Sequence, residues 1–268
     1  MVAKTKPATA DLSLIDLMLL QQARNYDLND AGSRRKSRDD LQQLFYGLQK
    51  ALKPQAVLEI GAYRAEFAVR MARAGIEAHA FEANPYNHRK FANEIAATGY
   101  PISYRNCAMG DRDGEVAFEI KRRVNGAEVS PGARNNSLMR RASDFGEVEY
   151  ETVTVPSVTL ETYLKRNGLT QKTFSAWIDV EGALGKVMAG FGNGLKHCLS
   201  AIVEVEEVAY WDGQILFSEV VEAFHRAGFV PVARDFESRF QYNIVFLKAA
   251  LLRDPTVRLL LAGHFDRA

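Results

Sequence analysis

From Ala56 onward, short β-branched and apolar runs alternate with stretches whose apolar positions recur every three to four residues. This alternation predicts βαβ units around a mostly parallel sheet. The strand-like runs are 56–60, 77–82, 101–107, 174–179, 200–206, 229–234 and 242–248, and the helical patterns cover 64–74, 86–98, 159–166, 182–191 and 215–227. Ala201-Ile202-Val203 is continuously apolar, as a strand buried on both faces should be. The spacer from Ala233 to Gln241 is too short for an ordinary crossover helix, so the last strand is expected to run antiparallel. The expected fold is α/β and Rossmann-like, a seven-stranded, mostly parallel sheet with an antiparallel closing strand and helices on both faces.

Two regions break this rhythm. Residues 115–120 and 150–155 alternate at period two and predict an antiparallel ribbon, whereas 121–148 between them show no clear periodicity. A loop of that length inside a domain is usually functional or disordered. Ahead of the alternating region, Leu12, Ile15 and Leu19, with Leu14 and Met18, predict an amphipathic helix over 11–26. A basic loop through Arg34-Arg35-Lys36-Ser37-Arg38 follows, then a second helix over 39–52 ended by Pro54. The tail at 251–261 is amphipathic, with Pro255 interrupting it. The pattern divides into an N-terminal helical cap (1–53), a main domain (54–250) carrying a ribbon-and-loop insertion (111–156), and a C-terminal helical tail (251–268). The cap reads as packed on the main domain or as a contact in a homodimer.

Composition narrows the partners. The 34 basic and 33 acidic residues leave a net charge of +1, which gives no global field toward nucleic acid or membranes. No stretch approaches the apolar length of a membrane span, and Asp11 and Asp16 interrupt any secretory leader, so a cytoplasmic setting is expected. Cys107 and Cys198 are the only cysteines, outside any zinc-like spacing, and are expected to sit reduced in buried strands. The five histidines lack an i, i+4 pair, and no metal is expected to be required. The insertion 121–148 holds six basic and three acidic side chains, a surplus that would attract an anionic acceptor or simply be solvated.

The chemistry starts at the first two strands. Val57-Leu58-Glu59-Ile60-Gly61 and His79-Ala80-Phe81-Glu82 each end near a carboxylate, and Glu82 lies 21 residues beyond Gly61. An acidic residue about 20 positions past a glycine-bearing first turn is placed to accept hydrogen bonds from a ribose diol. Binding a pyrophosphate would call for more glycines than the one in Gly61-Ala62-Tyr63-Arg64-Ala65-Glu66. S-adenosylmethionine (SAM) has the ribose and adenine without the phosphates, and Glu59 would suit its ammonium group. Ala62, Tyr63 and Ala83 flank this cofactor side. Asn106 and Ala108, after the third strand, are candidates for the adenine.

Ligands of open α/β sheets bind at the carboxyl ends of the strands. There Ala176-Trp177-Ile178-Asp179-Val180-Glu181-Gly182 ends the fourth strand, period two placing Trp177, Asp179 and Glu181 on one side. The fifth strand adds Glu204 and Glu206. Asp179, Glu181 and Glu204 are the candidate catalytic carboxylates, able to orient a hydroxyl and take its proton during methyl transfer or, structurally, to cap helices and pair with arginines. No GxSxG, Walker-type loop or HExxH occurs.

Taken in order, Leu58-Glu59-Ile60-Gly61-Ala62, Phe81-Glu82-Ala83-Asn84-Pro85, Asn106-Cys107-Ala108-Met109-Gly110, Asn136-Ser137-Leu138, Val155-Pro156-Ser157-Val158-Thr159-Leu160 and Ile178-Asp179-Val180-Glu181-Gly182 resemble the FkbM family of SAM-dependent methyltransferases over roughly residues 54–248. The resemblance implies a class I methyltransferase fold and O-methylation, often of glycan or other small-molecule hydroxyls. It places the cofactor against Glu59, Gly61 and Glu82, and the acceptor near Asn136, Ser137, Asp179 and Glu181. The family pattern has aspartate, asparagine and glycine where this chain has Glu59, Tyr63 and Ala65. A methyltransferase fold serving as a binding or scaffolding protein is therefore the second reading, and a nicotinamide dehydrogenase a distant third.

Overall fold

A seven-stranded sheet forms the centre of the molecule. The structure, a computed structural model, describes residues 22–266. The predicted helix over 11–26 lies almost wholly outside them. In chain order the described elements are α1 (Ala31–Leu52), β1 (Ala56–Ile60), α2 (Glu66–Arg73), β2 (Glu77–Phe81), α3 (Pro85–Ala97), β3 (Ile102–Arg105), β4 (Ala108–Met109), β5 (Gly114–Val124), β6 (Ala127–Glu128), β7 (Val148–Val158), α4 (Leu160–Arg166), β8 (Phe174–Ile178), α5 (Leu184–Ala189), β9 (Cys198–Glu206), α6 (Phe217–Arg226), β10 (Phe229–Arg234), β11 (Gln241–Lys248) and α7 (Pro255–Phe265).

The main sheet has the order β10-β11-β9-β8-β1-β2-β3. β1 pairs in parallel with β2 and β8, β2 with β3, and β8 with β9, while β11 is antiparallel to both neighbours. The closing strand is thus antiparallel as expected, but it is inserted between β9 and β10 rather than added at an edge. That position has a consequence for the site, because it sets Asn243 opposite Glu204. One face of the sheet packs α1, α2, α3 and α7 through Leu44, Phe45, Phe67, Phe91 and Val257, and the other packs α4, α5 and α6 through Leu164, Val187 and Phe224. β5 and β7 form the predicted ribbon, longer than the alternation suggested, and with β4 and β6 make a second sheet.

Several expectations are corrected. The basic run Arg34–Arg38 lies inside α1, capped by the Asp30 side chain on the Ser33 amide, and is not a loop before a helix at 39. From Ala31 to Asp40 only polar residues, Ser37 and Asp40, are buried, so hydropathy carries no helical signal there. Pro255 opens α7 at a first-turn position where its missing N–H costs nothing, with Asp254 as cap, and residues 249–253 form a separate 3-10 turn. The run 101–107 splits into β3 and, past Asn106 and Cys107, β4 of the second sheet. Cys198 is buried at the start of β9, but Cys107 is half-buried in the connection before β4. The segment 121–148 is partly ordered by the ribbon: β5 runs to Val124 and β6 follows it.

Candidate active site

The strands β1, β2, β8 and β9 all end on one side of the sheet, and a cavity of about 500 Å³ opens there. Its first wall is the turn after β1. The amides of Gly61 and Ala62 both donate to Phe81 O, and the Asp179 amide donates to Ile60 O, which locks the ends of β1, β2 and β8 together. A Cβ on Gly61 would lie 1.7 Å from Asp179 O, and its φ of +82° is one that glycine adopts freely. Glycine is therefore required here by the neighbouring strand as well as by the turn.

Glu82 projects into the cavity with both carboxylate oxygens fixed, Oε2 accepting the Tyr63 amide at 2.7 Å and Oε1 the Asn84 amide at 2.7 Å. Each oxygen retains a lone pair, so the group is pre-oriented to accept a pair of hydroxyls. Burial raises its pKa to about 7 against the opposing pull of those two amides. Glu59 is turned otherwise. Its carboxylate accepts the amides of Ala68 at 2.7 Å and Phe67 at 3.4 Å, stitching the first turn of α2 to the end of β1, and burial raises its pKa to about 8. It lines the cavity with part of its capacity already used.

The opposite wall carries Asp179, Glu181 and Glu204, with one oxygen from each lying within 4.8 Å of the others. β8 ends at Ile178, so the predicted period-two face does not continue through Asp179 and Glu181. Both lie in the following turn, where Glu181 adopts a φ of +50°, and Val180 lines the cavity alongside them. Trp177 packs with Phe45, Tyr46 and Phe67 beside the cavity. Burial raises the pKa of Asp179, raises that of Glu204 with Asp179 beside it, and brings that of Glu181 to about 8, with Asp179 adding to the effect. Behind them, buried Lys121 is depressed to about 8 by burial and by Arg141.

Of the predicted site residues, Glu59, Gly61, Ala62, Tyr63, Glu82, Ala83, Ala108, Asn136, Asp179, Glu181 and Glu204 line the one cavity. Asn106 and Ser137 stand behind it. The Asn106 side-chain amide donates to the carbonyls of Glu82 and Ala83, and the Ser137 hydroxyl donates to Glu181 O. The Asn136 side chain faces the cavity, yet it accepts from the Lys121 amide and donates to the carbonyls of Pro131 and Ala133. These three polar residues hold the walls in place. The sequence reading missed Arg38 and Tyr46 of α1 and Asn243 of β11, all in the lining. The alternation of polar Gln241 and Asn243 with Tyr242 and Ile244 was the signal available for Asn243. Arg64 and Arg134 also line the cavity, lying over the rings of Phe91 and Tyr63, and neither has an ion pair among the described residues.

The oxygen-donor trio is the group among the described residues able to hold a metal ion, and neither histidine nor cysteine contributes to it. The site thus joins a carboxylate anchored by two backbone amides at the end of β2 to an acidic wall at the ends of β8 and β9.

Solved structures similar to this chain include magnesium protoporphyrin IX methyltransferase from Synechocystis PCC 6803 with bound SAM (10% identity, 85% of this chain and 90% of that one, TM-score 0.44). Another is 1,6-didemethyltoxoflavin-N1-methyltransferase from Burkholderia thailandensis (13%, 81% and 84%, TM-score 0.40). A third is the bifunctional kinase-methyltransferase WbdD (13%, 78% and 38%, TM-score 0.45), so the chain spans well under half of WbdD's length. No curated protein matches the chain. The model of the methyltransferase FkbM domain matches residues 59–231, most of the chain and the carboxyl ends of β1, β2, β8 and β9 that line the cavity, and the chain belongs to that family.

Proposed function

We propose that the chain transfers a methyl group from SAM to a hydroxyl oxygen of a carbohydrate or other small-molecule acceptor. It is a SAM-dependent methyltransferase by family, and SAM supplies an electrophilic methyl group on a sulfonium centre. The observation that carries the reading is Glu82, held by two backbone amides with a free lone pair on each oxygen and facing the Asp179–Glu204 wall across one cavity. Glu82 would take the ribose hydroxyls. The carboxylate-rich lining suits a cofactor with sulfonium and ammonium charges.

Asp179, Glu181 and Glu204 are the groups available to orient an acceptor hydroxyl and take its proton. Their raised proton affinity brings them nearer to working pH as acid–base groups. Methyl transfer needs in-line placement above all, so orientation by these side chains is expected to supply much of the rate. Arg64 and Arg134, which line the cavity and form no contact-distance ion pair among the described residues, favour an acceptor carrying negative charge. The two cysteines are unbridged, and a cytoplasmic setting fits them.

Isothermal titration with SAM tests the assignment. The wild-type protein is expected to bind, and Glu82→Ala to weaken binding by about 1–3 kcal/mol through loss of charge-assisted hydrogen bonds. Absence of SAM binding by the wild type, with and without candidate acceptors, would sink the enzyme reading. The second reading, a scaffold with a methyltransferase fold, is favoured by Tyr63 and Ala65, which occupy left-handed backbone positions without being glycine or asparagine. SAM-dependent mass gain on an acceptor in extracts would exclude it.

A further inference from the structure

We propose that Asn87 reads the base of the cofactor: its carboxamide oxygen accepts a hydrogen bond from the exocyclic amino group of adenine and makes the site selective for a base that carries it. The inference deepens the methyl-transfer reading and rests on SAM being the cofactor. The buried positions of α3 are Asn87, Phe91 and Ile95, so Asn87 occupies the first place in the inward stripe of the helix, where an apolar side chain is the ordinary occupant. It is 3% exposed, and its Oδ1 is sealed from solvent without a hydrogen bond. The usual task of an asparagine near a helix start is already done, because Asn84 caps α3 with its own Oδ1 on the Tyr86 amide. A buried acceptor without a donor is costly and uncommon in folded chains. This one belongs to a side chain that lines the cavity.

Its surroundings fit the base better than any other part of SAM. With the ribose on Glu82 at the end of β2, the base lies toward Ala83, Ala108, Phe118 and Leu138, which line the cavity and share one apolar cluster with the second sheet. That surface suits the flat face of a purine but cannot tell one purine from another. Selection needs a polar edge, and the neighbouring amides are engaged. Asn84 and Asn136 spend both side-chain atoms on the protein, and Asn106 stands behind the cavity on the Glu82 and Ala83 carbonyls. A carboxamide matches the adenine edge, its oxygen taking an amino hydrogen while its NH₂ faces a ring nitrogen. Oδ1 lies against Gly132 of the insertion, where an added Cβ would sit 2.9 Å away. The last torsion of asparagine is broad, so the carboxamide can turn from Gly132 toward the cavity at little cost.

The test is isothermal titration of the full chain with S-adenosylhomocysteine and with its analogue whose base is purine, lacking only the amino group. The wild type is expected to bind S-adenosylhomocysteine about tenfold more tightly than the analogue, the effect of one buried hydrogen bond. Asn87→Leu, which continues the apolar stripe of α3, should weaken S-adenosylhomocysteine to the level of the analogue and leave the analogue itself unchanged. Asn87→Ala gives the same comparison with a smaller side chain, and Glu94→Gln on the exposed side of α3 should keep the wild-type preference. The proposal is overturned if the wild type binds both compounds alike, a comparison that needs no variant, or if either variant, folded by thermal unfolding, keeps the wild-type preference. Failure of the wild type to bind either compound would reject the methyltransferase reading itself. Equal binding of both rejects the role of Asn87 alone.

Discussion

Gly61 and Asp179 approach so closely that the two strongest sequence motifs are one structural unit. An added methyl at Gly61 would sit 1.7 Å from the Asp179 carbonyl oxygen, so Gly61→Ala must either part β1 from β8 or strain the turn. Left-handed strain of about 1–2 kcal/mol and overpacking of about 1–3 kcal/mol predict a total loss of about 2–5 kcal/mol in urea unfolding. A loss under about 1 kcal/mol would mean that the strand ends separate freely. Tyr63 and Ala65, with φ of +45° and +53°, explain the family's preference at these positions, since asparagine and glycine tolerate that conformation best. For Ala65→Gly, relief of strain opposes loss of a buried methyl worth about 0.8 kcal/mol, and stability should stay within about 1 kcal/mol of wild type. The position of Glu82 in the cavity was legible from spacing alone. The roles of Asn106, Asn136 and Ser137 were not, because a motif position does not reveal whether an amide or hydroxyl meets a ligand or the backbone behind it.

At the scale of elements, the strand boundaries of β1 and β10 follow directly from the apolar runs, since strands buried on both faces leave an uninterrupted signature. α1 was half hidden for the opposite reason: its first turns bury polar groups. The Ser37 hydroxyl donates to Arg34 O and accepts the Phe236 amide at 2.7 Å, tying the helix to the connection between β10 and β11. Ser37→Ala leaves that buried amide without its partner and should cost about 1–3 kcal/mol. Thermal unfolding unchanged from wild type would show that water replaces the hydroxyl. The other end of α1 offers a gain. Lys53, exposed, closes the helix in the left-handed conformation with its amide on Gln49 O, so Lys53→Gly should stabilise by about 0.5–1 kcal/mol.

Across the whole molecule, the topology gathers acidic side chains from strands far apart in sequence, and burial then controls their protons. The expected sheet was legible because its alternation is periodic, while the insertion of β11 inside it, and hence Asn243 in the site, depended on long-range pairing that no local pattern encodes. Glu59 shows the energetic outcome. Its pKa rises from 4.5 to about 8, so the folded chain binds the proton more tightly than the unfolded one. Its contribution to stability is therefore complete below about pH 4.5 and is lost as pH climbs to about 8, and Glu82, raised to about 7, acts in the same direction. His79, lowered from 6.5 by burial despite Glu77 beside it, has the opposite sign and costs stability as pH falls below 6.5. Glu59→Gln retains an acceptor for the Ala68 amide while removing the ionisation. Urea unfolding of both proteins in chelator from pH 5 to 8 should show the wild type losing stability relative to the variant as pH rises, by up to about 1.4 kcal/mol per pH unit. Parallel profiles would mean that Glu59 ionises in the fold as it does in the open chain, and that the acidic cavity is wetter than its packing implies.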